Sequence, residues 1–271
     1  MNDADARTPL SQLLASMTLD NDVSHVHVPD DWLQGRAIYG GLTAALCLQS
    51  IYDQHGRDLP PLRSVLLSFI GPAGPDVALR PVVVRQGKST AFITVDMLSG
   101  DKIAARGTFC FGKARDSKIA HADLQAPQVA GPAEYESFFQ RAGQTAPNFT
   151  QHFEGRFARG SMPVTQSDEP EYVVWLRHRD SDIDPVVVGL AALADALPPA
   201  AMASFSEVAP ISTMTWMFDV LDDDPRTEDG WWLSQSVAEH SGDGYSSQAM
   251  RVWNRAGQPI VVGRQNVAIF H

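Results

Sequence analysis

Cysteine is scarce in this 271-residue sequence, which contains only Cys47 and Cys110. Both lie among apolar residues and no secretory or transit segment precedes them, so we expect a reducing, cytoplasmic compartment in which each thiol is a small buried hydrophobe. The eight histidines are scattered along the chain. His25 and His27 share one face of a predicted strand without a cysteine or helix-spaced partner, so the pattern favours packing over a metal site.

Positive charge is also scarce, with 21 Lys and Arg against 32 Asp and Glu and a net charge of −11. This balance argues against wholesale binding to nucleic acid or to an anionic membrane, but it is compatible with a local basic pocket for a small anion. No apolar run approaches the roughly 20 residues that span a bilayer. We therefore expect a soluble protein with no nucleic-acid partner and no membrane partner.

Two loop motifs of known chemistry are missing. No Gly-x-Ser-x-Gly sequence is present, so the chain lacks the nucleophile elbow of a serine hydrolase. Gly87-Lys88-Ser89 resembles the end of a phosphate-binding loop, but Val82 stands where the first glycine is required. Residues 91–95 then predict a strand, whereas a phosphate loop must open a helix. We expect no bound nucleotide, metal or other cofactor.

The hydrophobic pattern predicts two long apolar helices, each followed by four strands. The helices are expected at 39–55 and 185–197, and both are apolar enough to be buried on most sides. The strands are predicted at 63–70, 78–85, 91–98 and 102–111, and again at 213–220, 231–239, 247–253 and 260–270. Shorter segments predict helices at 8–17 and 133–141 and strands at 20–29 and 172–177.

The two groups of elements share one spacing. Three markers of the first group recur 157 residues later in the second: Gly87 as Gly244, Gly100 as Gly257, and Ile103 as Ile260. Turn and strand markers at one constant offset indicate a duplicated unit with matched hairpin lengths. Gly87 and Gly244 are therefore predicted to lie in hairpin turns that need a positive φ.

A buried helix followed by an antiparallel sheet packs economically when the sheet curls around the helix. The sequence therefore predicts an α+β fold of the double hot-dog type, with two tandem helix-wrapped antiparallel sheets in one chain. The predicted boundaries are 1–115 for the N-terminal unit, 116–168 for a connector and 169–271 for the C-terminal unit.

Several motifs follow one another in a characteristic order. The first half contains YGGLTAALCLQS (39–50), SVLLSFIGPAG (64–74), VVVRQGKSTAF (82–92) and GDKIAARGTFCF (100–111). The second contains YVVWLRHR (172–179), LADALPPA (193–200), STMTWMFDV (212–220) and GYSSQAMRVWNRAGQPIVVGRQNVAIF (244–270). Their order resembles that of the type II, TesB-like acyl-CoA thioesterases, over nearly the whole chain apart from the connector. The resemblance implies hydrolysis of an acyl-CoA to a free fatty acid and CoA, a reaction of fatty acid and lipid metabolism.

The resemblance also implies that water attacks the thioester, held by an aspartate, a hydroxyl group and a glutamine. Asp195 matches the aspartate and is the only acid in the second apolar helix, where a carboxylate is costly to bury unless it is hydrogen-bonded or functional. Gln265 matches the glutamine. On the last strand it shares a face with Val267 and Ile269, and a buried amide there must find partners.

Thr213 is assigned as the catalytic hydroxyl, with the adjacent Ser212 as the alternative and as a substrate-binding residue. The family's threonine stands slightly earlier, where this chain has Ile211, and an error of one residue would move the side chain to the other face of the sheet. Gly40 and Gly41 are candidate substrate-binding residues at the start of the first helix. They could present free backbone N–H groups to an oxygen, or simply permit close packing.

The first unit is expected to be catalytically degenerate and to form the other wall of an acyl pocket. Cys47 and Thr108 occupy places loosely comparable to those of Asp195 and Gln265, and neither is an acid.

Two other functions are compatible with this fold. One is a non-catalytic acyl-CoA binding or sensing protein. The other is a hot-dog enoyl-CoA hydratase, which would use a histidine five residues after the aspartate, where this chain has Ala200. The sequence leaves open the acyl chain length and whether the protein is a homo-oligomer.

Overall fold

The secondary structure follows the predicted order of two apolar helices, each followed by four strands. The computed structural model describes residues 7–142 and 146–271. In these residues the α-helices are α1 (Leu10–Ala15), α2 (Gly40–His55), α3 (Phe138–Ala142) and α4 (Val186–Ala194). The strands are β1 (Thr18–Asp20), β2 (Val23–His27), β3 (Leu33–Gln34), β4 (Ala37–Ile38), β5 (Leu62–Phe69), β6 (Asp76–Gln86), β7 (Thr90–Ser99), β8 (Lys102–Gly112), β9 (Phe153–Gly160), β10 (Glu171–His178), β11 (Ile211–Val220), β12 (Trp232–Gly242), β13 (Tyr245–Asn254) and β14 (Pro259–Ile269). None of these helices is long and apolar enough to cross a membrane.

Twelve of these strands form one antiparallel sheet whose two halves have the same strand order. The order is β1-β2-β6-β7-β8-β5-β11-β14-β13-β12-β10-β9. β5 and β11 pair at the centre, with Leu66 opposite Met217. Outward from the centre, the strands run β5, β8, β7 and β6 on one side and β11, β14, β13 and β12 on the other, so the first and the fourth, third and second strands after each helix take the same places. This arrangement confirms the double hot-dog fold predicted from the sequence.

The helices α2 and α4 pack against each other, α2 also contacts β6, β7 and β8, and α4 contacts β10. Most of their small and aliphatic residues are buried, among them Leu46 and Ala192. Close approach requires Gly41, since a Cβ atom there would lie 2.4 Å from the carbonyl oxygen of Ala192. The Tyr39 hydroxyl donates to the same carbonyl at 2.8 Å. The start of α2 is therefore held against the end of α4.

The repeated glycines all lie in hairpin turns. Gly100 (φ 60°), Gly244 (φ 78°) and Gly257 (φ 83°) have the positive φ that their turns require. Gly87 donates its N–H to the Thr90 carbonyl oxygen at 2.8 Å across the β6–β7 hairpin, but its φ is not positive. The prediction of a positive φ at Gly87 was therefore wrong. Residues 87–89 make this turn one residue longer than residues 243–244 of its counterpart, so the conformation differs.

The segment predicted as a connector contains strand β9, which pairs with β10 at the edge of the sheet. Its sequence, FEGRFARG, contains glycines and charged residues and lacks the regular alternation of apolar and polar residues that predicts a strand. Before β9 the connector crosses the outer face of the second unit, where Trp175 Nε1 donates to the Ala130 carbonyl at 2.9 Å and Trp253 Nε1 donates to the Leu124 carbonyl at 3.3 Å. These tryptophans belong to a small apolar cluster separate from the main core.

Two shorter predictions differ in detail. The single strand predicted at 20–29 is a hairpin of β1 and β2, because Asn21 (φ 47°) and Asp22 (φ 65°) form a turn. The helix predicted at 133–141 is divided into a 3₁₀ turn at Pro132–Glu134 and the short helix α3.

Candidate active site

Asp195 lies where the end of α4 meets the start of α2. It is the cap residue after Ala194, so the helix ends just before it instead of including it as the sequence pattern suggested. A Cβ atom built on Gly40 would lie 2.6 Å from Asp195 Oδ2 and 3.4 Å from the ring of Phe69. The missing side chain at Gly40 therefore makes room for the carboxylate between the two helices.

Two hydrogen bonds hold the Asp195 carboxylate. Gln265 Nε2 donates to Oδ1, and the backbone N–H of Gly41 donates to the same carboxylate. Burial raises the pKa of Asp195 to about 7, while the two hydrogen bonds limit the rise because they favour the charged form. A carboxyl group with this pKa can exchange a proton near neutral pH, as a general base must.

Gln265 is placed by the register of three neighbouring strands. It lies on β14 opposite Trp216 of β11 on one side and Gln248 of β13 on the other. Gln248 Nε2 donates to Gln265 Oε1 at 2.6 Å, and the backbone N–H of Ala200 donates to Gln248 Oε1 at 2.8 Å. The buried amide of Gln265 is thus hydrogen-bonded at both ends, with its nitrogen facing Asp195.

The register also separates the two candidate hydroxyl groups. Thr213 pairs with Val267, which is fully buried and shares its face of β14 with Gln265. Ser212 pairs with Ala268 and is exposed. A shift in register follows Thr213 and allows the strand to resume with Thr215 outward and Trp216 buried. Of the two hydroxyl groups, only that of Thr213 is therefore on the face that carries Gln265.

Gly40 and Gly41 contribute to the site in different ways. Gly40 provides space for Asp195, and Gly41 provides both a backbone N–H and the close contact with Ala192. Gly40 is the first residue of α2, and N–H groups in the first turn of a helix have no intrahelical acceptor. The Gly40 N–H is therefore available, by its position, as a donor to a ligand.

The first unit does not place comparable groups at the equivalent positions. Cys47 is fully buried inside α2, and burial raises the pKa of its thiol. Thr108 lies opposite Leu66, which is 49% exposed, so it points to the outer face. The comparison of Thr108 with Gln265 was wrong, because a constant residue offset ignores the register shifts that decide which face a strand residue occupies. The neighbouring inner positions are Gly107 and Phe109.

Some neighbours of the candidate residues were not identified from the sequence. Gln248 could have been noticed as a polar residue on the apolar face of β13, two residues before buried Met250. Tyr39 and Phe69 could not, since aromatic residues at such positions are usually part of a core. Within residues 7–142 and 146–271, no three His, Cys, Asp or Glu side chains are grouped so that they could hold a metal ion.

The fold and this geometry define a double hot-dog protein with a hydrogen-bonded acid and amide at the junction of its two helices. The chain belongs to the acyl-CoA thioesterase family. The profile of the acyl-CoA thioesterase N-terminal domain matches residues 28–112, and that of the C-terminal domain matches residues 131–269. These matches confirm the resemblance to type II acyl-CoA thioesterases, and the second match includes strand β9.

Solved structures share the fold over almost the whole chain. A conserved protein of unknown function with a hot-dog fold from Alicyclobacillus acidocaldarius is 24% identical, with a TM-score of 0.87 over 98% of this chain and 99% of that one. The TesB protein of Mycobacterium avium subsp. paratuberculosis is 15% identical (TM-score 0.77, covering 96% and 99%). The acyl-CoA thioesterase II TesB2 of Mycobacterium marinum is also 15% identical (TM-score 0.74, covering 96% and 98%). A search of curated protein sequences gave no match.

Proposed function

We propose that the protein hydrolyses acyl-CoA thioesters by the attack of a water molecule that Asp195 activates. The observation that carries this proposal is the Asp195 carboxyl group, which has a pKa of about 7 and is bound to Gln265 beside the first turn of α2. Hydrolysis of a thioester requires a base, a group that orients water and donors for the developing negative charge. An acid whose pKa is raised by burial, a hydrogen-bonded amide and helix N–H groups can supply these three functions.

In the proposed reaction, ionised Asp195 takes a proton from water as the water oxygen bonds to the thioester carbon. Gln265 and Thr213 orient the water, and the Gly40 N–H stabilises the negative charge that develops on the carbonyl oxygen. The Gly41 N–H donates to Asp195 and so keeps the carboxylate in place. Ser212 is still proposed as a substrate contact, but it lies on the face of the sheet opposite to the one that carries Gln265.

Collapse of the tetrahedral intermediate then breaks the carbon–sulfur bond. The leaving thiolate takes up the proton from Asp195, which restores the carboxylate and releases CoA and a carboxylic acid. An ordinary thiol has a pKa of about 8.5, so the thiolate leaves readily and no strong general acid is needed. The reaction balances without a cofactor.

The N-terminal unit, residues 1–115, is proposed to contribute the wall opposite the acid. Phe69 of β5 supports this role, because its ring lies beside Gly40 and therefore near the carboxylate. The unit offers no acid at the equivalent position of its own helix, so the C-terminal unit, residues 169–271, is proposed to carry out the chemistry.

The experiment that tests this function is thiol release from short, long and branched acyl-CoAs by the wild type and by Asp195→Asn. Asp101→Asn is the matched control, because Asp101 is an exposed aspartate in the β7–β8 turn. We expect turnover in the wild type and the control, and its loss in Asp195→Asn without unfolding. Binding of acyl-CoA with no turnover in the wild type would instead identify a binding or sensing protein.

A further inference from the structure

Gln248 connects the candidate site to a backbone group outside it. Its side chain is 1% exposed and lies between Gln265 and the start of the 3₁₀ helix Ala200–Ser204. The three hydrogen bonds run in one direction: Ala200 N–H to Gln248 Oε1, Gln248 Nε2 to Gln265 Oε1, and Gln265 Nε2 to Asp195 Oδ1. Two amides thus join a backbone donor to the carboxylate.

The groups at the two ends of this series of hydrogen bonds determine how both amides are oriented. A side-chain amide can turn over and exchange its oxygen and nitrogen at little steric cost. A backbone N–H can only donate, however, and an ionised carboxylate can only accept. With Ala200 at one end and Asp195 at the other, one orientation of each amide satisfies all three contacts.

We propose that Gln248 is a positioning residue that holds the Gln265 amide with its N–H groups towards Asp195 and the attacking water. This inference rests on the proposed function. Gln265 Nε2 carries two hydrogens, of which Asp195 receives one. The second is then the group that Gln265 offers to the water oxygen, so Gln265 acts as a donor and Asp195 alone accepts the proton.

Without Gln248, only the Asp195 carboxylate would hold the Gln265 amide in this orientation, and the amide could turn over whenever Asp195 is protonated. Its oxygen would then accept a hydrogen bond from the protonated carboxyl group, whereas it would repel the ionised carboxylate. The repulsion would favour the protonated acid, which cannot act as a base. Loss of Gln248 should therefore reduce the rate and raise the pKa of Asp195 together, although Gln248 does not contact the carboxylate itself.

The pH profile should report Asp195 without interference from neighbours. Tyr39, the residue just before α2, is a titratable group beside Asp195. Burial, and then the charge of Asp195, raise the pKa of Tyr39 well above its ordinary value, so Tyr39 stays neutral. Helix α4 and the 3₁₀ helix Ala200–Ser204 contain no ionisable residue. The neighbours of Asp195 from β5, β13 and β14 are Phe69 and the two glutamines, which do not titrate.

Three variants test the inference. Gln248→Met keeps the volume and removes both hydrogen bonds. Gln248→Glu keeps an acceptor for Ala200 but offers Gln265 no donor when it is ionised. Gln235→Met is the matched control, since Gln235 is also an interstrand glutamine, with side-chain hydrogen bonds to Glu171 and from Arg251. Gln235 lies on the opposite face of the sheet from Gln248, two residues after Leu233, which belongs to the small apolar cluster of Trp175 and Trp253.

We expect both Gln248 variants to lower kcat by about 10- to 100-fold, as is typical when a group that orients a reacting residue is lost. KM should stay within about twofold, because substrate contacts are unchanged. The acidic limb of the pH profile should move to higher pH, and more so for Gln248→Glu. Gln235→Met should match the wild type. A merely structural role for Gln248 would lower the melting temperature without moving the acidic limb.

Wild-type kcat and an unmoved acidic limb in folded Gln248→Met would overturn the inference and leave the proposed function intact. If the wild type itself fails to hydrolyse any thioester, the proposed function is overturned instead. In that case the pKa of Asp195, followed by carbon-13 NMR of its carboxyl group, still decides whether Gln248 orients Gln265: a value equal in the wild type and in Gln248→Met would refute the orientation.

Discussion

The carboxylate of Asp195 occupies the space that a side chain at Gly40 would need. A Cβ atom on Gly40 would lie 2.6 Å from Asp195 Oδ2, closer than real Cβ contacts allow. Gly40 begins α2 of the first hot-dog unit and Asp195 directly follows α4 of the second, so the candidate acid of the second unit depends on a glycine of the first. The candidate site therefore includes residues of both units.

Gly40→Ala should displace the carboxylate or push α2 away from it. We expect kcat/KM to fall by about 100-fold, because a shift of the reacting group by about 1 Å has an effect of that order. Gly71→Ala is the control, since a Cβ at Gly71 meets no atom within 4 Å and Gly71 has no positive φ. Equal activity of the two variants in a thiol-release assay would contradict the placement of Asp195 in the site.

The activity should depend on pH through Asp195. Its pKa of about 7 means that the ionised base is lost as the pH falls below neutrality, so kcat/KM should drop roughly tenfold per pH unit below that value. A pantetheine thioester should be used beside acyl-CoA, because phosphate groups titrate near pH 6. An acidic limb that appears with acyl-CoA alone would show that the substrate, not Asp195, causes it.

The stability of the protein should depend on the same group. Asp195 has a pKa of about 7 when folded, above the ordinary value of about 3.9 in an unfolded chain. Between these values the folded state binds the additional proton, so the free energy of unfolding falls as the pH rises towards 7.

Asp195→Asn should remove this dependence. Between about pH 5 and pH 8 we expect the wild type to lose on the order of 2 kcal/mol more than the variant, after allowing for partial exposure of the carboxylate. Thermal unfolding at several pH values measures the difference. Parallel curves for the two proteins would show that the pKa of Asp195 is not raised.

Thr213 and Ser212 should differ in their effect on catalysis. Thr213→Val removes the hydroxyl from the face that carries Gln265, and we expect kcat to fall by about 10-fold or more, as for loss of a group that orients a reactant. Ser212→Ala changes the opposite face and should leave kcat unchanged. The reverse result would mean that the register of β11 near its start differs from the one described.

The duplicated architecture was predictable because it depends on local patterns. Apolar segments long enough for helices, alternating strands and turn glycines at one offset indicate the units without any knowledge of their contacts. The strand β9 was not predictable in this way, because FEGRFARG lacks a regular alternation. It became a strand only because β10 offers an edge to pair with.

Some candidate residues could be identified from local sequence, whereas others required the register of the strands. Asp195 and Gln265 stand out as polar groups in apolar segments, and the structure joins them by a hydrogen bond although 70 residues separate them. The choice between Thr213 and Ser212 needed the observed register, since a single residue changes the face. The proposed role of Gln248 could be inferred only from its hydrogen bonds with Gln265 of the neighbouring strand and with the backbone of Ala200.

By itself, the sequence determined the two apolar helices, the repeated strands and the presence of one acid and one amide, Asp195 and Gln265, in apolar segments. These follow from burial and periodicity, which act between residues near one another in the chain. Only the tertiary structure decided that Gly40 makes room for Asp195, that Thr213 shares a face with Gln265 and that Gln248 is hydrogen-bonded to Gln265. Such relationships depend on how distant segments pack, because steric space, strand register and hydrogen-bond direction exist only once those segments are in contact.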